Sequence, residues 1–156
     1  MTSTPYVADA HPYLRAASAG LRHHTRTLTQ TTPAVAADRV HLDALHAHLT
    51  ALHRLLDHLA EASRPAHPTA GRHLSTAHLR LWQATAAIHD AFHVLPTSPD
   101  DAGGTPCEPE RLPEGPPVLT ICQRHLISGH AIRRKTTPTD LNAPLHGHTR
   151  TTGCAI

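Results

Sequence analysis

The sequence predicts an all-α protein: an antiparallel three- to four-helix bundle with a Pro-rich loop before its last helix and a mobile C-terminal tail. Two observations carry this reading. Leucine-type residues recur at alternating three- and four-residue spacing in three successive stretches, and proline and glycine collect where that rhythm stops. A third is compositional: aromatic residues make up only 3% of the 156-residue chain. A core here must therefore come from Leu, Ala, Val and Ile packed between helices. That length suits a single domain, expected over residues 1–135 with a tail over 136–156.

The first helix is expected over residues 9–30, with Leu14, Ala17, Leu21, His24 and Leu28 on one stripe and Asp9 as its cap. Thr32 followed by Pro33 has the form of a cap and first helical residue, which starts a second helix over 33–63. Its seam is Leu42, Leu45, Leu49, Leu52, Leu56 and Leu59, stopped by Arg64 and Pro65. Thr69 can cap a third helix over 70–95, with Leu74, Ala77, Leu81, Ala84, Ile88, Ala91 and Leu95 in register and Pro96 closing it. Residues 96–116 read as a loop dense in Pro and Gly. Beyond it Val118, Leu119, Ile121, Cys122, Leu126 and Ile127 suggest a fourth helix over 117–134, although so short an apolar run also allows a strand.

Charge and targeting features exclude several classes of function. The formal net charge of +2 is too small to favour nucleic acid or an anionic membrane. No apolar run is long enough to span a bilayer, and Met1 to Pro5 carries neither the charged start nor the apolar stretch of a signal peptide, so a cytoplasmic location is expected. Cys107, Cys122 and Cys154 are then reduced thiols; Cys122-Gln123-Arg124-His125, with His130 and Cys107, offers ligands in number enough for zinc, but the spacing matches no zinc finger, and Cys122 is read as a small core residue. No phosphate loop, nucleophile elbow or Glu-x-x-His repeat is present.

Histidine, at 17 copies, is the conspicuous residue. His89 and His93 stand four apart, so on a helix both imidazoles face one way and can hold one metal ion. Antiparallel packing brings His24, His41, His89 and His93 to the same end of the bundle, near Asp38 and Asp90, where they form a candidate site for a divalent metal such as zinc. Set against this is a plainer reading: solvated surface and boundary histidines in a chain rich in them. On the second helix, His41 and His48 lie on one flank of the leucine seam and His46 and His53 on the other. Their protonation should loosen the bundle below about pH 5.5.

The Ala/Arg/His/Thr-rich helices, with a Pro-rich insertion before Cys122-Gln123-Arg124-His125, resemble small uncharacterised helical proteins of high-GC actinobacteria, a domain of unknown function. A weaker resemblance, carried by the histidines, is to DinB-like four-helix metalloproteins, and it implies a metal held by histidines from separate helices. Two functions follow as expectations. One is an interaction or accessory protein that binds another protein or itself, motivated by Leu79 and Trp82 lying off the core stripe. The other is a metal-binding bundle, with enzymatic activity as an extension of that reading.

Overall fold

The structure is a computed structural model that describes residues 9–97 and 119–136. It is all-helical, with four helices: α1 (Pro12–Gln30), α2 (Arg39–Ser63), α3 (Pro68–Val94) and α4 (Ile121–Lys135). No strand occurs among the described residues, so the apolar segment after Pro117 is helix. Most of the expected 96–116 loop, and the tail beyond Thr136, lie outside the described residues, as do Cys107 and Cys154.

By their contacts the residues form two compact units, Met1–Ala37 and Asp38–Ile156. In the first, α1 begins at Pro12, three residues later than expected, and Asp9 acts from outside the helix. Its Oδ1 accepts from the His11 backbone N–H at 3.0 Å and pairs with Arg15 at 2.7 Å. No residue of α1 is buried.

The second unit is a three-helix bundle. The helix expected from Thr32-Pro33 starts at Arg39 instead, because Asp38 provides the cap by accepting the His41 backbone N–H at 2.7 Å. α3 starts at Pro68, with His67 rather than Thr69 at its N-cap. α4 carries a capping box on the Thr-x-x-Gln spacing of Thr120 and Gln123: Thr120 Oγ1 accepts from the Gln123 backbone N–H, and the Gln123 side chain accepts from the Thr120 N–H. The start of α4 meets the end of α3 through Cys122 and His93, and its end meets Asp57 and Glu61 of α2 through Lys135. α3 is therefore antiparallel to both neighbours.

The buried seam is displaced from the leucine rows. On α2 the most buried positions are His46, Thr50, His53 and Ala60, and on α3 they are Gly71, His78, Leu79, Thr85 and Phe92. Along both helices this seam lies one residue beyond the expected one, a rotation of about 100°. Leu45, Leu49, Leu52, Leu81 and Ile88 are half-buried beside it, while Ala77 and Ala84 are exposed. The cause is α4, which covers the histidine flank. Arg124 reaches His46 and Asp43, and Ile121 and Ile132 are wholly buried. His46 and His53, expected at the boundary, are 1% and 3% exposed. Leu79, expected on the surface, is 3% exposed, and Trp82 is half-buried with its ring parallel to that of His125. The expected docking patch of Leu79 and Trp82 is thus part of the packed interior.

Gly71, buried in the first turn of α3, lies against Arg64 at the end of α2. A Cβ there would stand 2.7 Å from Arg64 Cγ and 3.1 Å from Arg64 Cα, so α3 closes on the end of α2 only because the side chain is missing. Alanine would gain about 1 kcal/mol in helix propensity, but valine adds two further methyl groups against backbone that cannot turn aside. Gly71→Val is expected to lower the stability of the bundle by about 2 kcal/mol, read as a lower urea midpoint by circular dichroism. An unchanged midpoint would show that this turn yields freely.

Candidate metal centre

The end of α3 presents His89 and His93 one helical turn apart, as their spacing predicts. Their Nε2 atoms are 3.2 Å apart, and His93 Nε2 is 3.3 Å from Sγ of Cys122 in the first turn of α4. One ligand atom from each of the three residues lies within 4.8 Å of the other two. A tetrahedral zinc ion with Zn–N near 2.0–2.1 Å and Zn–S near 2.3 Å separates such atoms by about 3.3 to 3.6 Å. The His89–His93 and His93–Cys122 separations therefore come within a few tenths of an ångström of those a zinc ion sets, and His89 and Cys122 lie within 4.8 Å of each other.

Neighbouring groups fix this geometry. His125 lies face to face with His89, ring centroids 4.2 Å apart and planes 12° from parallel. Asp90 Oδ1 stands 3.5 Å from His89 Nδ1, close but without a hydrogen bond between them. Arg124, 8% exposed, anchors α4: its Nε donates to His46 Nδ1 at 3.3 Å, one terminal nitrogen donates to the Leu119 carbonyl, and the other donates to the carbonyl and carboxylate of Asp43. Two residues away on the same helix, Cys122 is held against α3.

Electrostatics favour the neutral imidazole at His93, His125 and His46. Burial, reinforced by the charge of His89 and Arg39, holds His93 below the ordinary histidine range, and burial with His89 does the same for His125. His46 is lowered to about 4, by burial first and the Arg124 charge second. A neutral imidazole keeps the lone pair that a metal requires.

Among the four histidines expected to form the site, His89 and His93 are brought together. His41 is half-buried at the start of α2 and contributes no atom to the three-residue group, and His24 is exposed on α1, in the other unit. Cys122, read from the sequence as an inert core residue, supplies the third donor. The signal that could have found it was the Cys122-Gln123-Arg124-His125 run opening a helix directly after the Pro-rich insertion.

A family model matches residues 1–151, nearly the whole chain. The chain belongs to DUF6238, a family of unknown function. No curated protein and no solved structure matches it. For this DUF6238 chain, the chemistry must be argued from the two imidazoles and one thiol that its second unit assembles.

Proposed function

We propose that this protein binds a zinc-class divalent ion through His89, His93 and Cys122, with one coordination position left open. The observation that carries the reading is the convergence of the three donors, two of whose separations, 3.2 and 3.3 Å, approach those of a tetrahedral site. Two imidazoles and a thiolate suit zinc better than the hard oxygen-seeking cations. Three protein ligands leave room for a water molecule or an added ligand, as in catalytic rather than structural zinc sites, and His93 lies exposed at the surface. Zinc there would act as a Lewis acid and lower the pKa of its water towards 7. A reducing cytoplasm, the location expected from the sequence, keeps Cys122 available as a ligand.

Protein purified without a histidine tag is expected to retain about one equivalent of zinc. Cobalt substitution should then give the intense thiolate-to-cobalt charge-transfer band that histidine sites lack. Cys122→Ser should abolish the band, and His93→Ala should weaken affinity by more than about 100-fold, since groups that merely orient a ligand already cost 10–100-fold. Cys107→Ser, Cys154→Ser and the exposed His58→Ala serve as controls and should retain the band. A band that survives Cys122→Ser, or no band in the wild type, defeats the proposal.

A further inference from the structure

We propose that Arg39 and the metal at His89, His93 and Cys122 together form a binding site for a small ligand with two acidic groups, one completing the metal coordination and the other received by the Arg39 guanidinium. The inference rests on the metal reading and adds the chemical class of the ligand.

Arg39 is the first residue of α2 and is fixed in place at the end of the bundle that carries the metal donors. Its Nε donates to the Leu95 carbonyl at 3.0 Å, just past the end of α3, and its Cζ stands 4.9 Å over the centre of the Phe92 ring. Phe92 in turn meets His93 edge to face, with ring centroids 5.3 Å apart. These two contacts place the guanidinium carbon no more than about 10 Å from the His93 ring centre.

The Nε anchor leaves both terminal amino groups of Arg39 without a hydrogen bond among the described residues, so the planar fork that matches a carboxylate or phosphate is available. Charge favours the same class of ligand. A divalent ion with one thiolate and two neutral imidazoles retains a single positive charge, and Arg39 adds a second. Two carboxylates lie beside this centre: Asp90 flanks His89 with its side chain 83% exposed, so water screens it, and Asp38, next to Arg39 in the chain, is engaged in capping α2 through the His41 N–H. A monoacid satisfies the metal alone, whereas a diacid of matching span satisfies both positive centres.

The test uses the full cobalt-loaded chain, titrated with acetate and then with malonate, succinate, glutarate and adipate while the visible cobalt spectrum is followed. At least one dicarboxylate is expected to bind about tenfold more tightly than acetate, the gain of one charge-assisted pair. Arg39→Gln should remove that advantage, read as the ratio of dicarboxylate to acetate affinity within the same cobalt-loaded variant, while the thiolate–cobalt band persists, and Arg39→Lys should restore the ratio only in part, since lysine has charge without the fork. Dicarboxylates no tighter than acetate, or an advantage that persists in Arg39→Gln, overturn the inference while the metal site stands. Absence of the thiolate–cobalt band in the wild type overturns both.

Discussion

Replacing Arg124 with methionine is expected to lower the stability of the bundle by about 3 kcal/mol and to loosen α4, with the proposed metal site lost alongside. Arg124 is the buried charge that joins α4 to α2, donating to Asp43 and to His46 and, within its own segment, to the Leu119 carbonyl. Removing one partner of a buried pair typically costs 3–5 kcal/mol, mostly because the other charge is left without compensation. Here the Asp43 side chain is 47% exposed and recovers water, which places the expected loss at the lower end. His46 Nδ1 keeps only its long 3.4 Å approach to Thr50 Oγ1. Lysine at this position should not rescue, because one ammonium group cannot span acceptors on Leu119, Asp43 and His46. Urea unfolding followed by circular dichroism measures the stability, and limited proteolysis reports the freedom of α4. A wild-type midpoint in Arg124→Met would remove the assigned role of this side chain.

Acidification from pH 7.5 to pH 4 unfolds the metal-free protein. The pKa of His53 is lowered to about 4, by burial first and then by the charge of His78, with smaller effects from Arg54 and Lys135 and opposition from Asp57. His78, stacked on it at 3.9 Å, is also lowered by burial, against the pull of Asp57 and Glu61, and His46 is lowered to about 4. In the unfolded chain each of these histidines titrates near 6.5, so between pH 6.5 and pH 4 the unfolded state binds more protons than the folded one. Stability is therefore complete above pH 6.5 and is lost as pH falls towards 4, by on the order of 3 kcal/mol for each of His46 and His53. Losses of that size consume much of the 5–15 kcal/mol available to a typical domain. Melting temperature measured with a chelator present, so that metal release plays no part, should be flat above pH 7 and fall steeply below 6. His53→Leu with His78→Met should flatten the profile, since both Nε2 atoms are buried without a hydrogen-bond partner and an apolar pair relieves them. A flat wild-type profile from pH 7.5 to pH 5 would contradict the buried, neutral state of these rings.

The sequence places the acid sensitivity on the four histidines flanking the leucine seam, His41, His48, His46 and His53, and the tertiary structure buries His46 and His53 together with His78. His46 and His53 were read as flanking a leucine seam, because Leu45 and Leu52 stand beside them with the same heptad spacing. Two rows one residue apart have the same period, so periodicity alone cannot choose between them. The choice depends on where the third helix packs, and α4 packs over the histidine flank. The same limit applies to the metal centre. His89 and His93 share a helix, so their spacing sets their geometry. Cys122 lies 29 residues beyond His93, across the Pro-rich stretch, where no local rule relates one helix to the next. Arg39 was invisible for a similar reason, since its value depends on Phe92 and Leu95 at the far end of α3.

By itself the sequence determined what depends on near neighbours along the chain: three helices in order, a fourth apolar segment left as helix or strand, breaks at proline, and the facing pair His89 and His93. Hydrogen bonds between residues four apart and steric exclusion by proline are local, and so they are written in local spacing. The tertiary structure alone decided which flank of α2 and α3 is buried, which thiol joins the two imidazoles, and which arginine stands beside them. Those outcomes follow from the packing of whole helices, where burial and charge are shared between residues tens of positions apart.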